Sequence, residues 1–119
     1  MRPFELTSEP LKLSENDVEK QCMDYLRLYH WEPIRLHAGR FRTLDGKRVI
    51  TGAVRGTPDY ICIHHRHPAF YLEVKRPKGT LSPDQVKRHR EIEIMGFAHI
   101  WVDSLDELEV LVKVLEGRK

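Results

Sequence analysis

The chain has 119 residues, a length that suits one domain, and its 40% of hydrophobic residues is ordinary for a globular protein. No apolar stretch of the sequence approaches the length of a membrane span, so we expect neither a membrane protein nor a secretion signal. The net charge of +2 hides an uneven distribution, because residues 35–90 contain 13 Lys or Arg against 4 Asp or Glu. A basic centre of this kind indicates a polyanionic partner, and nucleic acid is the commonest one.

The N-terminal quarter of the chain predicts a short arm followed by a helix. Residues 1–13 mix proline, charge and isolated apolar side chains without a period, so we expect a loosely ordered arm before one domain, 14–119. Ser14, with an acid three residues later, is typical of a helix N-cap, and apolar residues recur at helical spacing from there. The helix is expected to end near Tyr29 or His30.

Two acids near the start of this helix are candidates for an inward-facing carboxylate. On a helical wheel Glu15 falls near the middle of the apolar face, and Glu19 falls at its edge. Acids in a first turn are also favoured by the helix dipole alone, so an ordinary surface role fits both residues as well.

Strand patterns follow the helix. Residues 31–33 interrupt the helical period, and apolar residues then alternate with others over 34–39 as in a half-buried strand. Asp45 and Gly46 give the strongest short hairpin signal of the chain, and its arms, 40–44 and 47–51, are rich in basic residues. Such a ribbon can bind a phosphate backbone; without the basic neighbours Arg35 and Arg55, a solvated hairpin with ordinary surface charge would fit the pattern equally well.

The next strand is expected to begin at an acid. Pro58 cannot donate a ladder hydrogen bond, so the strand should start at Asp59 and continue through the apolar run 60–63, which is typical of a central strand. The turn that follows contains His64, His65 and His67. Three histidines can ligate a transition metal, but the sequence shows no second cluster of ligands to complete a site, which favours an exposed turn.

Charged residues on the following strand suggest chemistry. Glu73 and Lys75 lie two positions apart in the run 70–75, and side chains alternate along a strand, so both point to one face. If this strand pairs with the one at Asp59, two carboxylates approach each other and repel unless a cation lies between them. Carboxylate oxygens and the carbonyl of Val74 are hard ligands that suit Mg²⁺ or Mn²⁺. A lysine beside such an ion can orient a water for attack on a phosphodiester, whereas a plain ion pair on a strand is the alternative.

The last third of the chain predicts a helix, a strand and another helix. Ser82, Pro83 and Gln85 supply an N-cap, a first-turn proline and a capping-box glutamine for a helix that ends near Gly96. A short strand at 98–102 and an amphipathic helix complete the chain. The resulting order, αβββαβα, predicts an α/β fold with a mixed central sheet flanked by helices.

The two cysteines, Cys22 and Cys62, both fall inside apolar patterns. This placement predicts small buried thiols rather than a disulfide or a metal clip, as is usual for a protein of a reducing cytoplasm.

Three motifs carry a family resemblance: Gly56-Thr-Pro-Asp59, Glu73-Val-Lys75 and Leu81-Ser-Pro-Asp-Gln85. Together they resemble the stand-alone VRR-NUC nuclease domain of the PD-(D/E)XK superfamily, of the phage and bacterial type, over nearly the whole chain after the arm. The resemblance implies a restriction-endonuclease-like fold, dependence on Mg²⁺ or Mn²⁺, and endonucleolytic hydrolysis of DNA. It also implies a preference for branched DNA such as Holliday junctions, and hence a place in DNA repair.

The same resemblance implies a role for each site residue. Asp59 and Glu73 would be metal ligands, and Lys75 would be the base that orients the water. Gln85 would be the motif glutamine that lines the site. By its distance from the end of the first helix, Glu19 would be the helix acid of the catalytic set, whereas Glu15 fits the helical wheel better.

The expected partners follow from charge and from the resemblance. Similar stand-alone nucleases are homodimers, because symmetric cutting of two strands needs two sites, and they act in the cytoplasm of bacterial or phage-infected cells. A less selective nickase or flap nuclease, and a non-catalytic DNA-binding module, are the alternative functions. The residues expected to contact DNA are basic and surround the site: Arg35, Arg40, Arg42, Lys47, Arg48, Arg55, Arg76 and Lys78.

Overall fold

The computed structural model describes residues 13–36, 40–51 and 54–118. Most of the predicted arm, residues 1–12, lies outside this part, and Leu13 packs half-buried against the core. The elements in chain order are α1 (Glu15–Leu28), β1 (Glu32–Arg35), β2 (Arg40–Arg42), β3 (Val49–Thr51), β4 (Tyr60–Ile63), β5 (Phe70–Val74), α2 (Pro83–Ile94), β6 (Ala98–Val102) and α3 (Leu105–Glu116).

A mixed four-stranded sheet with the order β1-β4-β5-β6 forms the centre of the fold. The β1–β4 and β4–β5 pairs are antiparallel, whereas β5 and β6 are parallel and are connected through α2. The α/β class and the order αβββαβα are therefore confirmed for the elements of this sheet, and β2 and β3 form a separate two-stranded sheet. In the described part of the chain the longest helix has 14 residues, and none combines the length and apolarity that a bilayer crossing requires.

One face of the sheet holds the main core. Here α1 and α3 pack against each other and against β5 and β6, as the helical periods of both segments predicted. Cys22 and Cys62 are fully buried in this core and unpaired, and burial raises the pKa of both thiols to about 12. The central side chains of the core are Val18, Leu26, Phe70, Leu72, Val74, Leu108 and Val112.

Helix α2 lies on the opposite face of the sheet and packs against β6. Leu72 and Val74 point into the main core, so Glu73 between them points the other way, where the side chain of Gln85 contacts it. The predicted start of α2 is confirmed, because Ser82 and Gln85 form a reciprocal capping box. Helices thus flank both faces, and Glu73 lies between the sheet and α2.

The first helix ends at Leu28, slightly before the predicted end. His30 adopts a left-handed conformation with φ of 69°, and the N–H of Trp31 then donates to the carbonyl of Leu26 at 2.9 Å. This closure is a Schellman-type C-cap, which most often uses glycine at the left-handed position. The helix end was not recognisable from the sequence, because a histidine and not a glycine occupies the left-handed position.

The first strand is shifted relative to its prediction. It spans Glu32–Arg35 instead of starting at Ile34, because its register is set by pairing with β4, where Pro33 lies opposite Cys62. A proline is tolerated there because β1 is an edge strand of the sheet. Residues 37–39, the end of the predicted strand, lie outside the described residues.

The basic hairpin forms as predicted, but its strands are shorter than 40–44 and 47–51. The N–H of Thr43 donates to the carbonyl of Arg48 at 3.0 Å, which closes the ladder, and Asp45 accepts hydrogen bonds from Thr43 and from the N–H of Lys47. Gly46 has φ of 73° and allows the reversal. Lys47 and Arg48 are exposed, whereas the side chains of β2 and β3 lie outside the described residues.

Candidate active site

Asp59 and Glu73 meet where β4 begins and β5 ends. The β4–β5 ladder stops at the pair Tyr60–Leu72, so the strand starts one residue after the predicted Asp59. In place of the next ladder bonds, the N–H of Asp59 donates to Oε2 of Glu73 at 2.9 Å, and the N–H of Val74 donates to Oδ2 of Asp59 at 3.2 Å. The two carboxylates are therefore held together by the backbone of both strands.

Glu73 is buried, with 2% of the residue exposed, and both of its oxygens accept hydrogen bonds. Besides the bond from Asp59 to Oε2, the side-chain amide of Gln85 donates to Oε1 at 2.6 Å. Nζ of Lys75 lies 3.4 Å from the same Oε1, so the predicted shared face of Glu73 and Lys75 is confirmed. The structure thus brings four of the five predicted catalytic residues, Asp59, Glu73, Lys75 and Gln85, into one contiguous cluster.

The electrostatics of this pair favour a cation. Burial, together with the neighbouring charge of Asp59, raises the pKa of Glu73 to about 7, although Lys75 and the Asp59 N–H act in the opposite direction. Burial also raises the pKa of Asp59, against the lowering effect of its bond from Val74, and the charge of Glu19 raises it further. Two neighbouring carboxylates that are shielded from water are more easily ionised when a divalent ion is present.

Glu19 of α1 approaches the same end of the sheet. Its Oε1 accepts hydrogen bonds from the guanidinium of Arg35 at 2.7 Å and from the hydroxyl of Tyr60, which also receives a bond from Arg35 at 3.0 Å. Burial and the bond to Glu19 raise the pKa of Tyr60 to about 12, so the phenol stays a donor. The charge of Glu15 acts on Asp59 less strongly than that of Glu19, and Glu15 is exposed. This geometry favours Glu19 as the acid from α1.

The loop before Asp59 is fitted closely to the start of α2. Gly56 has φ of 81°, and a Cβ placed on it would lie 2.3 Å from the backbone oxygen of Asp84. Pro58 is fully buried next to the acid, and the guanidinium of Arg55 pairs with Asp84 at 3.3 Å. Only glycine fits this position, so the Gly-Thr-Pro motif fixes both Asp59 and the helix that carries Gln85.

The oxygen atoms at this centre fit a hard divalent ion. Each carboxylate oxygen has more than one lone pair, so Glu73 can bind a cation while keeping a hydrogen-bond donor. N–H and C=O groups of one strand residue point to the same side, so the carbonyl of Val74 is expected on the side of Asp59, to which its N–H donates. Asp59, Glu73 and the Val74 carbonyl would then be the protein ligands of Mg²⁺ or Mn²⁺, with waters in the other positions.

The basic residues expected to contact DNA divide into two groups. Arg35 and Arg55 are engaged in ion pairs with Glu19 and Asp84, so part of their charge is used inside the protein. The side chains of Arg40 and Arg42 lie outside the described residues. The remaining basic candidates are exposed, and within the described part of the chain they form no side-chain ion pair: Lys47, Arg48, Arg76 and Lys78.

Sequence reasoning missed two contributors to the site. Tyr60 belongs to an apolar run of the sequence, but a tyrosine directly after Asp59 carries a hydroxyl that can reach a helix acid. Asp84 falls inside the Leu81-Ser-Pro-Asp-Gln85 motif, but no local pattern shows that it pairs with Arg55 and lies close to the backbone of Gly56. Compared with known proteins, the chain matches no protein-family model and no curated protein.

Proposed function

We propose that the chain is a metal-dependent DNA endonuclease of the VRR-NUC type. The observation that carries this proposal is the cluster of Asp59, Glu73 and Lys75 at adjoining strand ends, with Gln85 bonded to Glu73. An ordinary surface ion pair does not require a buried glutamate whose pKa is raised towards neutrality, and such perturbed groups concentrate at functional sites.

The chain's own residues have distinct roles in the proposed reaction. Mg²⁺ or Mn²⁺, when bound, supplies positive charge that acidifies a nearby water and offsets the charge of the phosphate. Asp59 and Glu73 would hold this ion, and Gln85 fixes the orientation of the Glu73 carboxylate. Lys75 is held 3.4 Å from Glu73 and orients the attacking water or stabilises the phosphorane charge. Glu19 adds a third acid at the rim of the site.

The proposed substrate is DNA, with branched DNA such as a four-way junction preferred. Support comes from the exposed basic side chains of the hairpin tip and of the loop after β5, which lie in the strongly basic centre of the sequence. One domain supplies one site, so symmetric cutting of a junction requires a homodimer. The buried free thiols fit the cytoplasm of a bacterial or phage-infected cell as the place of action.

A DNA-binding module without catalysis is the second candidate. The Lys75–Glu73 contact supports it, because a half-buried lysine and a buried glutamate can also serve as a structural ion pair. A less selective nickase or flap nuclease would use the same site and differ only in its DNA preference.

The decisive experiment is a cleavage assay on end-labelled four-way junction, flap and linear duplex, with Mg²⁺, with Mn²⁺ and with EDTA. The wild type is expected to cleave the junction best and to be inactive in EDTA. Asp59→Asn keeps an oxygen for the Val74 N–H but loses the charge, and Lys75→Ala removes the ammonium, so each should lower the single-turnover rate at least about 100-fold.

Lys113→Ala is the matched control for Lys75→Ala, because Lys113 lies on α3 in an exposed pair with Glu109. It should cleave like the wild type. Binding of the junction without cleavage under every metal condition would indicate a DNA-binding module and overturn the proposed nuclease activity. Equal cleavage of flap and junction would support the less selective nuclease.

A further inference from the structure

A second group of metal-ligating side chains lies at the other end of the β4–β5 hairpin. His64 follows β4, His67 precedes β5, and Glu116 is the last residue of α3. One ring nitrogen of each histidine and one oxygen of Glu116 all lie within 4.8 Å of one another. No local sequence pattern connects Glu116 with this histidine-rich turn, because Glu116 reaches it only through the packing of α3. Glu116 therefore adds a side chain that could act as a ligand beside two of the histidines.

Glu116 is held in a fixed position beside the turn. Its side chain is 7% exposed, and Oε1 accepts two hydrogen bonds from the guanidinium of Arg118, the shorter at 2.7 Å. Arg118 is itself fixed by a hydrogen bond to Tyr25 and by lying 3.9 Å above the ring of Tyr29. Oε2 of Glu116 receives no hydrogen bond from the described residues, so this oxygen is available to a cation.

His64 is arranged as metal-ligating histidines commonly are. Its Nε2 lies 3.1 Å from the carbonyl of Tyr29, which can only accept, so Nε2 carries the proton. Nδ1 therefore holds the lone pair, and at present it accepts the N–H of Arg66 at 3.0 Å. A backbone carbonyl that fixes the tautomer and leaves the other nitrogen to the metal is the usual outer partner of a histidine ligand.

His67 completes the group. Its ring centroid lies 4.6 Å from that of His64, and the ring stacks on the indole of Trp31 with 5.9 Å between centroids. No described residue forms a hydrogen bond with the ring nitrogens of His67. The three ligands line an open pocket of about 440 Å³, which leaves room for an ion with bound water. His65 lies in the same turn and stacks on His64, but it is exposed and is not one of the three.

We propose that His64, His67 and Glu116 form a site for a borderline transition metal, with Zn²⁺ as the representative ion and solvent as the fourth ligand. Two imidazoles and one carboxylate suit Zn²⁺, Co²⁺ or Ni²⁺ and do not suit Mg²⁺, which prefers oxygen ligands. Ligand distances of about 2.0–2.2 Å require the three donor atoms to move closer together, and side-chain rotations in an open turn allow this. The ion would connect the end of α3 to the β4–β5 turn, at a place separate from Asp59 and Glu73.

The test is calorimetric titration of the metal-free full chain with ZnCl₂ in excess Mg²⁺, together with the visible absorption of the Co²⁺ form. The wild type should bind one Zn²⁺ that Mg²⁺ does not displace, show the absorption of a four-coordinate Co²⁺ ion, and gain thermal stability with Zn²⁺. His67→Gln and Glu116→Gln should each weaken Zn²⁺ binding at least about 10-fold.

Two controls make the result specific. His65→Gln removes a histidine from the same turn and should bind Zn²⁺ like the wild type. Asp59→Asn should also keep the affinity, which separates this site from the proposed catalytic metal and makes the two proposals independent. The thermal midpoint of each metal-free variant establishes that it is folded. No Zn²⁺ binding by the wild type, or an equal loss in His65→Gln and His67→Gln, overturns the proposal.

Discussion

The side-chain amide of Gln85 donates to Oε1 of Glu73 at 2.6 Å, while its own oxygen accepts the N–H of Ser82 at 2.9 Å. One glutamine therefore connects the start of α2 to the buried acid. This double use means that a substitution at Gln85 affects both the cap of the helix and the orientation of the carboxylate.

We predict that Gln85→Ala lowers the single-turnover cleavage rate about 10- to 100-fold, because the acid loses its closest side-chain donor. Ser82→Ala is the control for the helix cap, since it removes the N-cap hydroxyl and keeps the bond to Glu73. It should cost about 1 kcal/mol of folding free energy in denaturant unfolding and leave cleavage near wild type. A comparable loss of activity in both variants would assign the role of Gln85 to the cap.

The choice between the two acids of α1 can be tested directly. Glu19 bonds to Arg35 and Tyr60 at the rim of the site, whereas Glu15 is exposed at the first turn. We expect Glu19→Gln to lower cleavage at least about 10-fold by removing a charge that acts on the metal site, and Glu15→Gln to stay within about 3-fold of wild type. The reverse order, measured on the same junction substrate, would assign the helix acid to Glu15.

The Gly56 loop offers a matched pair of glycine substitutions. Gly56 and Gly46 have similar positive φ angles of 81° and 73°, but a Cβ at Gly56 would meet the backbone of Asp84, whereas one at Gly46 meets nothing within 4 Å in the described part of the chain. We predict that Gly46→Ala lowers the free energy of unfolding by about 1 kcal/mol, from backbone strain alone. Gly56→Ala should cost at least about 3 kcal/mol in urea unfolding, because clash adds to strain. Equal costs would mean that the loop can move away from α2.

His89 should make folding sensitive to acid. It is 3% exposed, neither ring nitrogen has a hydrogen-bond partner among the described residues, and the rings of His89 and His99 lie 4.7 Å apart. Burial first, and the neighbouring His99 second, lower the pKa of His89 to about 4 from the usual 6.5, with Lys75 acting in the same direction and Glu93 against it.

Between these two pH values the unfolded chain binds a proton that the folded chain does not. The free energy of unfolding should therefore fall as the pH drops from 6.5 towards 4, by up to about 3 kcal/mol from this group. His89→Leu should flatten that part of the profile when urea unfolding of both chains is compared at matched pH values. Parallel profiles for the variant and the wild type would remove His89 as the cause.

Metal binding at the proposed catalytic site should weaken below neutral pH. Because the pKa of Glu73 is raised to about 7, the carboxyl is largely protonated at lower pH, and a divalent ion must displace that proton. The affinity for Mn²⁺, followed by its paramagnetic signal, should fall up to about 10-fold for each pH unit below 7 and level off above it. The assay covers about pH 5.5 to about pH 8, which is about 1 unit or more on either side of the pKa of Glu73. An Mn²⁺ affinity that does not change over this range would contradict the prediction.

Sequence reasoning succeeded where the signal was local. The capping box at Ser82 and the shared face of Glu73 and Lys75 follow from spacing along one helix or one strand, and both are present. It failed where a contact depends on packing between distant segments. The register that shifts β1, and the approach of Glu116 to the histidine turn, are set by tertiary contacts that no local pattern contains.

Arg35 illustrates a further limit of the same kind. Its positive charge predicts a contact with DNA, but the structure pairs its guanidinium with Glu19 and Tyr60. Composition counts charges without their partners, so the basic excess of residues 35–90 overstates the charge that is free to meet phosphate. Of the basic residues expected to contact DNA, Lys47, Arg48, Arg76 and Lys78 are exposed and form no side-chain ion pair in the described part of the chain.

The two acids at the strand ends also complete the hydrogen bonding of the sheet, because they take up the N–H groups of Asp59 and Val74 that a further ladder rung would have used. Alanine at either position would leave a backbone donor without its acceptor, so loss of activity there would be mixed with opening of the strand ends. An inactive form suited to capturing the protein on uncut DNA should therefore carry Asp59→Asn, which retains an oxygen for Val74 and removes only the charge.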